Sequence, residues 1–462
     1  MKTFDFCFHY GWGASLEQAY RICSGVKAEM NNQGKSLSIV TFSQKIYNYL
    51  LSNGMDDVFI VLPTNKKEIH RDEILSLYYT LGFRNFSDFY RTEQLVWKYK
   101  EKKAIEYSYR LLQSIINLRD AFSAKYYITY EGDEFDHNAF RFLCRLHNGT
   151  IIYEGISSFK NRLFFHRNEN RFWVIPPYSG ECSSEIESEI INYMDSYTKN
   201  KSFLYGGDPD DWDTERWNFK IPKRILSKIF IRSDFAQDDI ILSAKRLFGK
   251  IFRRQFFKLF YKMKYNDGDV YYFPLHMPSD SQLTQRALPF YNQVALVEQI
   301  SCYIPYPSKL YVKEHPAARG YMDIQSLKKI RSLGNVVLLD PRINSHDIIK
   351  KAKAIFTINS NVGYEALMYG KPVVTFGRSF YRGEGLTLDI SSLYELENII
   401  SEINKFQVDQ SRFIKLIHRI YANTFDLDVI KYWNKSESES SNYFVLCLLK
   451  WVEKNLHTNG NG

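Results

Sequence analysis

The sequence lacks the features that mark membrane-spanning, disulfide-bonded and exported proteins. No apolar run reaches the roughly 18 to 20 residues that a membrane-spanning helix requires. The six cysteines include no Cys-x-x-Cys pair, so neither a zinc site nor a disulfide framework is predicted, and free thiols in a reducing cytoplasm are expected. Near the N-terminus, Asp5 and His9 interrupt the apolar run, which argues against a signal peptide. These absences predict a cytoplasmic protein.

The net charge limits the classes of binding partner that are expected. The net charge is +9 and the pI is about 8.9, which suits nucleic acid, an anionic membrane surface or acidic substrates. No helix-turn-helix, RNA-binding or zinc-finger pattern is present, so no nucleic-acid partner is predicted. At 462 residues the chain is too long for one ordinary hydrophobic core, and two domains are expected.

The stretch 310–387 alternates short apolar runs with helical segments. Strands are predicted at 310–316, 335–339, 354–358 and 372–377. Strands that alternate with helices indicate parallel βαβ units, and ligands of such sheets bind beyond the carboxyl ends of the strands. The polar residues and the glycine at those ends are Lys313, His315, Asn359, Ser360, Gly363 and Glu365.

These residue types suit a nucleotide. Asn359 and Ser360 can cap a helix, and the N–H groups and positive dipole end of that helix attract phosphate. Gly363 lets the backbone approach a ligand, and Glu365 can accept hydrogen bonds from two ribose hydroxyls. Lys313 and His315 can neutralise the same phosphate. The structural alternative is a plain capped turn with a surface glutamate.

The N-terminal half shows a second alternation of strands and helices. Strands are predicted at 4–9, 37–42, 58–62, 126–130 and 150–153, and helices at 16–30, 90–122 and 138–146. Acidic residues follow the last two strands: Glu131, Asp133 and Glu134 after one, and Glu154 after the other. For Glu131 and Asp133 a solvated loop is the favoured interpretation. Gly11 and Gly13 predict either a tight turn or a close approach to an acceptor sugar.

The segment 238–264 has the pattern of a basic amphipathic helix. Phenylalanines and aliphatic residues repeat at helical spacing, and seven lysines and arginines between Lys245 and Lys262 cover much of the remaining surface. This pattern suits peripheral contact with an anionic inner membrane. The alternative is an inter-domain helix that packs its phenylalanine stripe on the protein.

Several motifs together resemble the capsule polysaccharide synthesis family, which includes bacterial β-Kdo transferases. The motifs are Val312-Lys313-Glu314-His315-Pro316, Ser360-x-x-Gly363-x-Glu365-Ala366-Leu367, Gly370-Lys371-Pro372 and Phe380-Tyr381-x-Gly383-x-Gly385-Leu386-Thr387. The His-Pro and Ser motifs are also similar to those of bacterial sialyltransferases. The resemblance covers roughly 270–387. It implies an α/β fold of the GT-B type, in which two Rossmann-like domains face a central cleft.

The resemblance also implies site residues and a donor. The donor would be a CMP-linked acidic sugar, with Kdo favoured, and the acceptor a glycan or glycolipid. The residues implied to bind the nucleotide are Lys313, His315, Pro316, Asn359, Ser360, Gly363 and Glu365. Arg286, Arg378 and Tyr381 are the candidates for substrate contacts. No metal and no cofactor are expected, because cationic side chains and helix N-termini can carry the phosphate charge and no Asp-x-Asp motif follows a suitable strand.

Two carboxylates are the candidate catalytic residues. Asp280 lies in the polar loop 276–286 after the strand predicted at 270–275, and it is the expected nucleophile if the enzyme retains anomeric configuration. An N-cap is the structural alternative for Asp280. Glu154-Gly155 resembles the acidic-Gly motif of sialyltransferases and Kdo transferases, although Tyr153 stands where a second acid is usual. Glu154 would orient or deprotonate the acceptor.

The expected domains follow from these assignments. Residues 1–237 form the acceptor-side Rossmann-like domain, and 238–266 the basic inter-domain helix. Residues 267–430 form the domain that binds the nucleotide sugar, and 431–462 a C-terminal helix that crosses back and ends in a frayed tail. Three other functions stay open: a sialic or nonulosonic acid transferase, a UDP-sugar 2-epimerase-like enzyme, and a non-catalytic scaffold of capsule assembly.

Overall fold

The computed structural model describes residues 1–11, 15–64, 68–96, 99–168, 173–178, 180, 182–202, 260–262, 268–435 and 438–456. The chain divides into two compact units. The first unit comprises 1–171, 218–243 and 424–462, and the second comprises 172–217 and 244–423. Except for 260–262, the predicted basic helix lies outside the described residues. None of the described helices is both long and apolar enough to cross a bilayer.

The first unit begins with alternating strands and helices. In chain order they are β1 Lys2–His9, α1 Leu16–Asn32, β2 Leu37–Thr41, α2 Gln44–Ser52, β3 Val58–Ile60, α3 Arg71–Thr80, α4 Arg91–Leu95, α5 Glu101–Asn117, β4 Phe122–Tyr130, α6 Phe135–Leu146, β5 Thr150–Ile156 and β6 Arg162–His166. β1 is buried along most of its length, as a strand covered on both faces must be.

The second unit repeats the alternation around another sheet. Its elements are α7 Ser184–Lys199, β7 Val270–Pro274, α8 Ser281–Thr284, α9 Gln293–Tyr303, β8 Lys309–Lys313, α10 Ile324–Ser332, β9 Val336–Leu339, α11 Ser345–Lys351, β10 Ala352–Thr357, α12 Asn361–Met368, β11 Val373–Thr375, β12 Leu388–Asp389, α13 Ile399–Lys405 and α14 Gln410–Ala422. All six strands are parallel, in the order β9-β8-β7-β10-β11-β12. This is the strand order of a doubly wound Rossmann sheet, whose order reverses between β7 and β10.

The chain then returns to the first unit with β13 Phe425–Asp428, α15 Val429–Lys435 and α16 Ser438–Leu456. The sheet of that unit has the order β3-β2-β1-β4-β5-β6-β13, with β6 and β13 antiparallel to their neighbours. Its parallel part reverses order between β1 and β4. The predicted α/β class with two Rossmann-like sheets, as in GT-B proteins, is therefore confirmed.

Two predictions about the boundaries of elements and domains differ from the structure. The single helix predicted at 90–122 is two helices, because Lys100 is extended ahead of α5 and Phe122 already pairs with Lys2 in the sheet. The described residues of 173–202, expected in the N-terminal domain, lie in the second unit. At the start of α5 and at Phe122, tertiary contacts outweigh the local helical pattern.

The C-terminal helix contributes to the core of the first unit. Phe444 and Leu448 of α16 lie in one buried cluster with Phe8 of β1 and Val26 of α1. α1 and α16 approach closely at Gly25, where an added Cβ would lie 2.6 Å from the Ser441 hydroxyl oxygen. The sheet of the first unit is therefore covered on this face by a segment more than 400 residues further along the chain.

The contribution of α16 can be measured with two leucines on the same helix. Leu448 is fully buried and Leu446 is 44% exposed. We expect Leu448→Ala to lower the free energy of unfolding by about 2 to 5 kcal/mol, because it leaves a cavity in the core. Leu446→Ala should change it by less than about 0.5 kcal/mol. Urea denaturation measures both, and equal losses would contradict this packing.

Candidate functional site

The loops that follow β7 and β10 meet where the strand order of the second unit reverses. The imidazole Nε2 of His276, after β7, accepts a hydrogen bond from the backbone N–H of Asn359, after β10, at 3.5 Å. The side-chain amide of Asn359 donates to the carbonyl of Gln282 at 2.8 Å. Its Oδ1 is buried and has no hydrogen-bond partner in the described part of the chain. A hydroxyl or amino group of a ligand would satisfy this acceptor.

A buried lysine and a buried glutamate lie at the same strand ends. Burial lowers the pKa of the Lys313 amine to about 8, opposed by the negative charge of Glu365. Burial also raises the pKa of the Glu365 carboxyl to about 7, opposed by a hydrogen bond from Tyr197 and by Lys313. The Tyr197 hydroxyl donates to Glu365 Oε1 at 2.9 Å. Lys313 therefore still offers a positive charge at neutral pH, in a place where water screens it little.

His315 lies in the same electrostatic environment. The pKa of its imidazole is lowered to about 4, chiefly by burial and also by Lys313, while Asp280 acts in the opposite direction. A pKa this low argues against a cationic His315 at neutral pH, and its predicted contact with phosphate stays a prediction. The imidazole is neutral at pH 7 and can act as a hydrogen-bond donor. Pro316 opens a short 3-10 turn that carries the chain away from β8.

The cap of α12 is built as predicted, but its glycine has another role. Ser360 Oγ accepts a hydrogen bond from the Val362 N–H at 3.1 Å. The fully buried Tyr381 donates its hydroxyl to the Ser360 carbonyl at 2.7 Å. A Cβ on Gly363 would lie 2.3 Å from that hydroxyl. Gly363 thus makes room for Tyr381, and Tyr381 supports the cap. Its predicted contact with a substrate stays a prediction.

The remaining predicted residues of the second unit lie on loops next to this site. Asp280 is the N-cap of α8, with its Oδ1 accepting from the Gln282 N–H at 2.9 Å. Arg286, half-buried, closes the end of α8 through its backbone N–H. Arg378 is exposed in the loop after β11. The capping role predicted as the alternative for Asp280 is real, and its catalytic role stays a prediction.

In the first unit the acidic residues after β4 are buried. Glu131 and Asp133 are only 8% and 5% exposed, so the prediction of a solvated loop is wrong. The Glu131 carboxylate is hydrogen-bonded to His166 of β6. Asp133 Oδ2 accepts from the Thr92 hydroxyl of α4 at 2.5 Å. Side chains from elements distant in the sequence cover both carboxylates, which the local pattern could not show.

Glu154 is buried in the same sheet, on β5. Its carboxyl is 2% exposed, and burial raises its pKa to about 8. Its Oε2 has no hydrogen-bond partner among the described residues. At pH 7 this group is therefore mostly protonated, so it can donate a proton or a hydrogen bond more readily than it can accept one.

Three further polar residues lie at the carboxyl ends of β1 and β4, and the sequence analysis missed them as site candidates. His9 ends β1 and Asp136 and His137 begin α6. The Asp136 carboxylate lies between the two imidazoles, 3.7 Å from His9 Nε2 and 3.1 Å from His137 Nδ1. A histidine at the end of a buried strand and an Asp-His pair opening a helix were the available signals. Gly11, predicted to approach a sugar or form a turn, instead approaches Asp136.

The raised pKa of Glu154 predicts a pH-dependent stability. The folded chain keeps this proton up to about pH 8, whereas an unfolded glutamate loses it near pH 4.3. The wild type should therefore lose stability relative to Glu154→Gln as pH rises through this window, by up to several kcal/mol. Urea midpoints at about pH 5 and about pH 8.5 measure the trend. The exposed Glu397→Gln is the control, and parallel profiles for both variants would contradict a buried, protonated Glu154.

Comparison with curated proteins gives partial matches. The capsule polysaccharide export protein KpsS of Escherichia coli is 32% identical over 130 residues, which are 26% of this chain and 33% of that protein. The capsule polysaccharide modification protein LipA of Neisseria meningitidis serogroup B is 27% identical over 135 residues, 29% of this chain and 18% of LipA. The matches thus span a third or less of these relatives.

Comparison with solved structures gives distant matches. The β-Kdo 2,4 transferase of KpsC from Thermosulfurimonas dismutans aligns with a TM-score of 0.36 and 13% identity, covering 72% of this chain and 87% of that one. UDP-GlcNAc 2-epimerase from Neisseria meningitidis aligns with a TM-score of 0.30 and 13% identity, covering 97% and 100%.

The family comparison tests the sequence motifs directly. Residues 223–424 match the family described as "Capsule polysaccharide biosynthesis protein". This region contains the Lys313-to-Pro316 and Ser360-to-Leu367 motifs and, apart from Tyr197, the site residues described for the second unit. The predicted resemblance is therefore confirmed over residues 223–424, a little under half of the chain.

Proposed function

We propose that this chain is a glycosyltransferase of bacterial capsule or lipopolysaccharide biosynthesis. Its donor is a CMP-linked acidic sugar, with Kdo favoured, and its acceptor is a glycan or glycolipid. The observation that carries the proposal is the buried amine of Lys313 at the end of β8, the strand that pairs with β7 at the reversal point of the sheet. Burial of an amine without a ligand costs free energy, which a structural role does not explain.

The phosphate of the donor binds between Lys313 and the N-terminus of α12. The positive end of the helix dipole favours an anion there. The Ser360 hydroxyl accepts from the helix backbone, so its own hydrogen can be donated to a phosphate oxygen. Neutral His315 supplies another donor. This set of donors meets the phosphate charge without a metal ion, so donor binding needs none.

The rest of the nucleotide meets the polar groups beside this phosphate position. Glu365 Oε1 already accepts from Tyr197, and the carboxylate has further lone pairs for ribose hydroxyls. The buried Oδ1 of Asn359 is a second acceptor. The cytidine and acidic-sugar assignment rests on the His-Pro and Ser motifs, which resemble those of transferases that use CMP-sugars.

Transfer requires a carboxylate near the anomeric carbon, and Asp280 and Glu154 take different roles. In a retaining reaction Asp280 attacks that carbon and forms a covalent sugar intermediate, releasing CMP. Glu154 then positions the acceptor hydroxyl. In an inverting reaction Glu154 is the base, which requires its deprotonated form and therefore a rate that rises as pH approaches its pKa of about 8.

A UDP-sugar 2-epimerase-like activity is the second candidate. A buried glutamate in the nucleotide unit, here Glu365, is the feature that favours it. The two candidates differ in the nucleotide that binds. The peripheral contact with an anionic inner membrane that the sequence predicts depends on 238–266, almost all of which lies outside the described residues.

The donor assignment predicts selective stabilisation by CMP. At about 100 times its dissociation constant, CMP should add roughly 2.7 kcal/mol of apparent stability, and UDP at the same concentration much less. Lys313→Met removes the buried charge that faces the phosphate, and we expect it to abolish the CMP shift. His315→Ala should weaken the shift. Thermal denaturation with CMP, UDP and GDP, with and without a chelator, is the measurement.

A lysine outside the site provides the matched control for this experiment. Lys328 is exposed on α10, and Lys328→Met should leave the CMP shift unchanged. Equal shifts with UDP and CMP would overturn the CMP assignment and favour the epimerase candidate. Loss of the shift on adding a chelator would contradict metal-independent donor binding.

A catalytic role of Asp280 can be separated from its capping role, because asparagine caps helices about as well as aspartate does. The Asp280→Asn variant should still cap α8 and bind CMP. If Asp280 is the nucleophile, the variant should lower the rate of transfer by several orders of magnitude. Asp323→Asn changes another capping aspartate of the same unit and should leave transfer unchanged. Transfer rate and intact mass, which detects a covalent sugar, are measured for these two and for Glu154→Gln.

Near-normal transfer in both Asp280→Asn and Glu154→Gln would mean that other carboxylates act. Glu131 and Asp133 would then be tested next. Loss of transfer in Glu154→Gln alone, without a covalent adduct in any variant, would indicate the inverting reaction. CMP binding measured in parallel distinguishes a lost catalytic group from a misfolded site.

A further inference from the structure

The first unit has a polar cluster that the proposed transfer reaction does not use. It lies at the carboxyl ends of β1 and β4, between which the strand order reverses. A Rossmann sheet binds its ligands at this place. Ligand atoms of Glu134, Asp136 and His137 all lie within 4.8 Å of one another. His137 Nδ1 is 3.1 Å from Asp136 Oδ1 and 3.5 Å from Glu134 Oε2. We call these three residues the α6 cluster, after the helix whose start they surround.

Two glycines let the backbone pass close to this cluster. A Cβ on Gly132 would lie 2.5 Å from the His137 ring, and a Cβ on Gly11 would lie 2.5 Å from Asp136 Oδ2. Neither glycine has a positive φ, so close approach explains them better than turn geometry does. The loops after β1 and β4 therefore pack directly on the α6 cluster.

A buried imidazole outside the α6 cluster also points into it. His9 is 6% exposed, and its Nε2 has no hydrogen-bond partner in the part of the chain that the structure describes. That atom faces Asp136 Oδ2 at 3.7 Å, too far for a hydrogen bond. The other ring nitrogen, Nδ1, is 2.9 Å from the Thr129 hydroxyl, which holds the ring in this orientation. An unsatisfied buried nitrogen aimed at a carboxylate indicates that something is still to bind there.

We propose that Glu134, Asp136 and His137 bind a divalent transition-metal ion. One imidazole nitrogen and two carboxylate oxygens are ligands that suit Zn²⁺ or Mn²⁺ and suit Mg²⁺ or Ca²⁺ less well, because those ions prefer oxygen alone. Among the described residues, the ion pairs of these two carboxylates are with histidine only. A cation is therefore the natural counter-charge for the pair.

The distances within the α6 cluster are close to those of a bound ion. Ligand atoms about 2.0 to 2.2 Å from one ion lie roughly 3 to 4 Å apart. The two distances from His137 Nδ1 already fall in that range, so only small side-chain shifts are required. His9 would then hold Asp136 in place through its second oxygen, as residues around a metal site commonly do.

The site would keep coordination positions open to solvent. The side chains of Glu134 and Asp136 are 31% and 17% exposed, whereas that of His137 is 1% exposed. Three protein ligands leave at least one position for water or for an oxygen of a bound molecule, as in metal sites that act on ligands. An ion there could contact a hydroxyl or carboxylate group of whatever binds at the strand ends of the first unit.

Binding of the metal alone tests the proposal without any nucleotide or acceptor. Mn²⁺ is titrated into the chelator-treated full chain, and loss of the free-ion EPR signal measures binding, with Zn²⁺ as competitor. We expect about one ion per chain. Glu134→Gln and Asp136→Asn should each weaken binding at least tenfold, and His9→Gln about tenfold. Glu397→Gln, an exposed glutamate of the second unit, should bind as the wild type does.

Two results would overturn the proposal. One is an absence of binding to the wild type at millimolar Mn²⁺ and Zn²⁺, which would leave His137 as the internal counter-ion of the two carboxylates. The other is equal affinity in the wild type and in Glu134→Gln, which would place any bound ion elsewhere. Circular dichroism checks that each variant folds. If Asp136→Asn does not fold, the result for Glu134→Gln decides alone. CMP binding in the presence of chelator is independent of these outcomes.

Discussion

The parallel strands of each sheet all end at the same edge, and the rest of this molecule depends on that constraint. In both units the order of the parallel strands reverses beside the first strand, so the loops after two adjacent strands part there and leave room for side chains. In the second unit these loops bring His276 and Asn359 together, and Lys313 lies at the end of the neighbouring strand β8. In the first they bring together His9, Asp136 and His137. The same backbone geometry thus creates two polar sites with different residues.

Burial decides what the polar groups at these edges can do. The same loss of water lowers the pKa of Lys313, raises that of Glu365 and raises that of Glu154. Each shift reflects free energy that the folded protein gives up by keeping an ionisable group away from water. Groups retained at such a cost commonly act on ligands. This argument supports the proposed anion site in the second unit.

The two sites differ in how their charges are balanced. Lys313 and Glu365 oppose each other inside the second unit, and a phosphate would add a negative charge next to the lysine and the start of α12. In the first unit the carboxylates of Glu134 and Asp136 form ion pairs only with His9 and His137 among the described residues. A phosphate suits the first arrangement and a cation suits the second.

The sequence by itself determined the α/β class and the positions of most strands, because short-range patterns encode them. Alternating apolar runs specify strands, and Ser360 specifies a helix cap through contacts within three residues. Only the tertiary structure decided which side chains are buried. Asp133 is covered by Thr92 and Glu131 by His166, partners that are 41 and 35 residues away. Tyr381 fills the space beside Gly363, and Phe122 leaves a helical pattern to pair with Lys2. Such contacts depend on how the whole chain folds back on itself, and no local spacing of residues records them.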